Sequence, residues 1–125
     1  MKLLLDTHAL LWALARPGEL AAEARRRLQD PGNTVFVSVA SAWEIEIKRA
    51  LGKLDAPSDL AEQMQRQRFT ELPVCLRHIR SLQGLPALHR DPFDRLLVAQ
   101  ALADGLVVVT RDARIRAYPI RSIGC

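Results

Sequence analysis

Short apolar runs of strand length alternate with helix-capable stretches along the 125 residues, and several of those runs are continuously apolar. These two observations predict an α/β fold: a three-layer α/β/α sandwich around a mostly parallel sheet of four or five strands. Strands covered by helices on both faces have no solvent side and so carry no polar alternation. A third observation is that carboxylates follow the apolar runs. In open parallel sheets, ligands bind beyond the carboxyl ends of the strands, where the strand order reverses. No repeat, low-complexity tract or linker divides the sequence, which predicts one domain over 1–125.

The first run, KLLLD at 2–6, reads as a buried strand. Ala9 to Ala15 reads as a helix stopped by Pro17-Gly18, and Glu19 to Gln29 as a second helix with Leu20, Ala24 and Leu28 on one face. Asp30-Pro31-Gly32-Asn33 is a turn. Thr34 to Val39, β-branched and aromatic, predicts the second strand. Ser41 is placed to cap a helix running to about Leu51, closed by Gly52. A helix from Ser58 to Gln67, a strand from Glu71 to Val74 and a helix from Leu76 to Leu82 follow. Asp91-Pro92 opens the clearest helix, whose apolar face includes Phe93, Leu96, Leu97, Ala101 and Leu102 and which Gly105 closes. Leu106 to Thr110 predicts a fourth strand, and Ile120 to Ile123 a fifth.

Hydrophobic residues make up 49% and charged residues 26%, the balance of a globular chain. No apolar run approaches the roughly 20 residues of a membrane span. Asp6 interrupts Leu3-Leu4-Leu5 too early for the apolar core of a signal peptide, so a cytoplasmic protein is expected. Cys75 and Cys125 lack the spacing of a zinc site or a disulfide framework. The formal charge of +4 points mildly toward a polyanionic partner, and more so if several acids are sequestered in a pocket.

Four acids fall in connections at one predicted edge of the sheet. Asp6 ends the first strand, Glu44 lies one turn into the helix after the second, Asp94 lies in the first turn of the helix before the fourth, and Asp112 follows the fourth. Such a cluster is tolerable when a multivalent cation neutralises it, and oxygen-only ligands favour Mg²⁺ or Mn²⁺ over zinc. Ions of this kind clamp a phosphodiester and activate the water that attacks phosphorus. Each acid also has a structural reading: Asp6 as a helix cap, Asp91 as the N-cap before Pro92, Asp94 at the positive end of a helix dipole, and Asp112 as a turn initiator. The joint placement carries the functional one.

The stretches LLLDTHALLW, SVASAWEIEIKRALGKL, LPALHRDPFDRLLVAQA and LVVVTRD, in this order, resemble the PIN-domain ribonucleases over nearly the whole chain, most closely the VapC-like toxins of bacterial toxin–antitoxin pairs. The resemblance implies that Asp6, Glu44, Asp94 and Asp112 form the quartet that binds Mg²⁺ or Mn²⁺, with Thr7 and Thr110 as supporting hydroxyls and Asp91 as an additional acid. It also implies an endoribonuclease that cleaves RNA with a metal-activated water, a homodimer, and a cognate antitoxin whose tail covers the acidic pocket. The alternatives on the same fold are an RNA-processing nuclease outside a toxin pair and a non-catalytic RNA-binding or interaction module. An aspartyl-nucleophile phosphatase would place a second acid two residues after the first, where His8 stands.

Arg90, Arg95, Arg111 and Lys48 neighbour the acids and are candidate contacts to RNA phosphates, with pairing to those carboxylates as the competing reading. His8 and His89 lack ligand-like spacing and read as polar loop residues or phosphate contacts. Trp12 and Trp43 read as core.

Overall fold

Five strands form a single sheet in the computed structural model, which describes residues 1–125. They are β1 (Lys2–Leu5), β2 (Thr34–Ser38), β3 (Thr70–Leu72), β4 (Val107–Thr110) and β5 (Ser122–Gly124), in the order β3-β2-β1-β4-β5. Every neighbouring pair is parallel, with Leu5 opposite Val37 on one side and Val109 on the other. The order reverses between β1 and β4, so the carboxyl ends of these two strands flank the crevice where such sheets bind ligands.

The central strand shows why its run is apolar throughout. Leu3 and Leu5 enter one core cluster and Leu4 the other, and all three are fully inaccessible. Alternate side chains leave a strand on opposite faces, so each needs its own cover. Helices α1 (Thr7–Ala15), α2 (Ala22–Gln29), α3 (Val39–Ala50) and α4 (Leu60–Arg66) supply residues to the first cluster. On the opposite face the second cluster takes Leu97, Val98 and Ala101 from α6 (Pro92–Asp104) and Ile115 from α7 (Ala113–Arg116). A further helix, α5 (Leu76–Ser81), packs on α6. Burying a leucine fully contributes about 1.5–3 kcal/mol, so the two clusters supply the main cohesion of the three layers.

Several boundaries differ from expectation. Helix α1 starts at Thr7, because Asp6 Oδ1 accepts the Ala9 N–H at 2.8 Å and caps it. Ser38, not Ser41, caps α3 through the Ala40 N–H at 3.1 Å, so strand and helix join with no intervening loop. The stretch expected as one helix from Glu19 is divided into a 3₁₀ turn, Pro17–Glu19, and α2. Helix α7, unforeseen, forms because Asp112 Oδ1 accepts the Arg114 N–H at 2.7 Å. Gly105 closes α6 in the left-handed region, φ 66°, which turns the chain directly into β4. No helix is long and apolar enough to cross a membrane.

Candidate active site

The switch point between β1 and β4 opens into a cleft of about 580 Å³. Asp6, Glu44, Asp91, Asp94 and Asp112 all line it, and Trp12 is its single apolar wall. The placement follows from the topology: Asp6 leaves the end of β1, Asp112 leaves the end of β4, and α3 and α6 carry Glu44 and Asp94 to the same edge.

Asp6 is only 5% exposed, and both of its oxygens are engaged. Oδ1 receives the Ala9 N–H, and Oδ2 receives the hydroxyl of Thr110 in a short hydrogen bond. The Thr110 oxygen also accepts the Asp112 N–H at 3.0 Å, so one hydroxyl ties the ends of both strands together. Glu44, equally buried, accepts from the Thr7 hydroxyl at Oε1 and from Lys48 Nζ, 2.7 Å away, at Oε2. Thr7 and Thr110 therefore support the two most buried acids.

The carboxyls respond to this crowding in different ways. Burial pushes Asp6 above the ordinary carboxylate range, against the opposing hydrogen bonds from Thr110 and Ala9. Burial, reinforced by the charge of Asp91, pushes Asp94 up to about 7, and the charges of Glu44 and Asp6 act in the same direction. For Asp112 burial also raises the carboxyl, but hydrogen bonds from His89 and from the Arg114 N–H outweigh it and hold the group low.

His89, expected as a polar loop residue, is instead buried between two of the acids. Its Nε2 lies 3.0 Å from Asp94 Oδ2 and 3.0 Å from Asp112 Oδ2. His89, Asp94 and Asp112 bring one potential ligand atom each within 4.8 Å of the others. Asp91 Oδ1 caps α6 by accepting the N–H groups of Phe93 at 2.8 Å and Asp94 at 3.2 Å, in keeping with its structural reading.

The basic candidates divide. Lys48 makes the expected i,i+4 pair with Glu44 at the cleft wall. Arg111 lines the cleft, stacks its guanidinium 4.2 Å from the Trp12 ring centroid and donates to the carbonyls of Glu19 and Cys125. Arg95 is turned inward, donating to Pro86 O at 3.0 Å and Tyr118 Oη at 3.3 Å, because the loop before α6 needs a donor to satisfy its carbonyls. Exposed Arg90 does not line the cleft, whereas Arg114, not singled out from the sequence, does. His8 is exposed at the rim. Trp43 departs from the core reading altogether: it is 62% exposed and meets Phe93 edge-on at 5.4 Å. Trp12 is half-buried.

Comparison with known proteins agrees with this geometry. The chain is 28% identical over 121 residues to the ribonuclease VapC22 of Mycobacterium tuberculosis, an alignment covering 92% of this chain and 90% of that protein. Its fold matches a chain in the crystal structure of VapBC2 from Rickettsia felis bound to a promoter DNA fragment, with a TM-score of 0.75 at 15% identity, covering 99% of this chain and 98% of that one. A chain of the DNA-bound VapBC from Salmonella typhimurium gives a TM-score of 0.72 at 18% identity, with the same coverage. The sequence model of the PIN domain matches residues 3–120. With its all-parallel sheet and its acids gathered at the switch point, the chain belongs to the PIN domain family.

Proposed function

We propose that this chain, one PIN domain over residues 1–125, is a metal-dependent endoribonuclease, the toxin of a VapBC-like toxin–antitoxin pair acting in the cytoplasm. Asp6, Glu44, Asp94 and Asp112 are the catalytic carboxylates and hold Mg²⁺ or Mn²⁺. The observation that carries this reading is the convergence of acids from four separate connections into one cleft of an otherwise basic chain. The VapC22 relative supports the ribonuclease activity and the VapBC structures support an antitoxin partner, while the homodimer rests on the family resemblance alone.

The donor set fits a hard divalent cation. The four carboxylates offer oxygen ligands, and the upward shifts of Asp6 and Asp94 mark a place where a positive charge relieves both burial and repulsion. When bound, such an ion polarises a phosphodiester and lowers the pKa of a water molecule. The chain supplies the rest. Thr110 and Thr7 hold Asp6 and Glu44 in fixed rotamers, and Lys48 restrains the second oxygen of Glu44. Arg111 and Arg114 place positive charge on the cleft wall, where it offsets the acids and attracts the RNA backbone.

Asp6→Asn is expected to abolish cleavage of single-stranded RNA and growth inhibition while leaving the circular dichroism spectrum unchanged. Excess EDTA silences the wild type and added Mn²⁺ restores it. Wild-type cleavage by Asp6→Asn, or full activity under chelation, would overturn the proposal.

A further inference from the structure

The imidazole of His89 is held at both nitrogens and along its backbone. Its main-chain N–H donates to Tyr118 Oη at 3.0 Å, its Nδ1 accepts the Asp91 N–H at 3.1 Å, and its Nε2 lies between the carboxylates of Asp94 and Asp112. A neutral imidazole carries one N–H and one lone pair. A backbone N–H can only donate, so the lone pair sits on Nδ1 and the hydrogen on Nε2. The nitrogen facing the two acids therefore presents one proton, hydrogen-bonded to Asp112 Oδ2 with Asp94 Oδ2 in contact at 3.0 Å. That polarity is wrong for ligating a cation and right for steering carboxylates that do.

The loop carrying the ring is fastened from behind. Tyr118 Oη also accepts the Leu88 N–H at 3.1 Å and gives its own hydrogen to Pro86 O at 2.8 Å. A single buried hydroxyl, reached from the segment after α7, thus fixes the backbone on which His89 stands. Asp94 and Asp112 belong to different elements, and the imidazole bridges them, 3.0 Å from each.

We infer that His89 is a positioning residue, anchored by the Tyr118 hydroxyl, which holds Asp94 and Asp112 at one spacing for a divalent cation without ligating it. This rests on the metal-dependent reading of the site. Metal affinity then depends on the conformation of that loop as well as on the acids.

The test is Mn²⁺ binding to the purified full chain, followed by loss of the free-ion signal in electron paramagnetic resonance, with the fold checked by circular dichroism. His89→Ala is expected to weaken affinity about 10–100-fold, the usual cost of losing an outer partner of a ligand. In His89→Gln the amide nitrogen reaches the place of Nε2, and affinity recovers to within about threefold of wild type. Tyr118→Phe weakens binding in the same direction and adds little to His89→Ala, because both act through one contact. Pulsed resonance on the wild-type Mn²⁺ complex shows no directly bound nitrogen.

Wild-type affinity in a folded His89→Ala, no recovery in His89→Gln, or strong nitrogen coupling would each overturn the inference. If His89→Ala fails to fold, Tyr118→Phe and the nitrogen measurement decide it. Asp6→Asn separates the two levels. Should wild type take up no Mn²⁺, or Asp6→Asn take it up as tightly as wild type, the metal-nuclease reading itself falls. Should Asp6→Asn lose the ion while His89→Ala keeps it, only the positioning role falls.

Discussion

Asp94 is the residue on which burial and repulsion bear most heavily. Its carboxyl is pushed up to about 7, first by burial and then by Asp91, so the folded protein binds a proton there that the unfolded chain, near 3.8, releases. The sign follows from linkage: the stability that this proton confers is fully present below about pH 4 and is lost as pH rises through about 7. Asp6 is shifted in the same direction. Asp104, held down to about 2 chiefly by its hydrogen bond from Arg77, and Asp112, also held low, act only in acid and leave this window untouched. The chelated protein is therefore expected to melt higher at pH 5.5 than at pH 8. Asp94→Asn, which keeps the shape and removes the charge, flattens much of that difference and raises the pH 8 melting temperature by about 4 °C or more, read by scanning fluorimetry in EDTA. A variant that melts lower than wild type at pH 8 would show that Asp94 is not under electrostatic strain.

At the scale of elements, the start of α6 does two jobs with adjacent acids. Asp91 caps the helix, Pro92 occupies the first turn where no N–H is needed, and the cap brings Asp94 to the cleft. Asp91→Ala is expected to cost about 0.5–2 kcal/mol in urea unfolding, whereas Asp91→Ser keeps a capping oxygen and most of that stability. Equal losses in the two variants would place the importance of Asp91 elsewhere. This helix and β1 were legible in the sequence because their signals are local: a continuous apolar run for β1, and an Asp91-Pro92 start, an apolar face and a Gly105 stop for α6. The starts of α1 and α3 lie earlier than the sequence suggests: Asp6 was legible as a cap but not the residue at which its helix begins, and Ser38 rather than Ser41 accepts the N–H group that opens α3. The site divides along the same line. Its acids were legible because each sits in a connection at one sheet edge, a matter of topology. His89, the inward turn of Arg95 and the exposure of Trp43 depend on contacts with distant partners, such as Tyr118 for the loop before α6, which no local spacing records.

At the scale of the whole molecule, the fold keeps like charges together at a cost that a ligand can repay. Anything that binds only the folded state stabilises it by mass action, by about 2.7 kcal/mol at a hundred times its dissociation constant. For a chain of this length that is a rise of about 8 °C or more in melting temperature. On the proposed reading, a divalent cation has to displace the Asp94 proton, so its affinity is expected to increase as pH rises toward about 7 and to level off above it. The Mn²⁺-induced rise in melting temperature is accordingly expected to be larger at pH 8 than at pH 6 in the wild type. In Asp94→Asn it should be smaller and nearly independent of pH over that range, and in Asp112→Asn it should be smaller at both. Because ion-free stability is expected to move the opposite way with pH, the two trends cross-check each other: raising pH should weaken the empty protein and strengthen the proposed binding of metal. A stabilisation by Mn²⁺ that is equal at both pH values, or is unchanged in Asp112→Asn, would mean that the ion binds outside the cleft at the β1–β4 switch point.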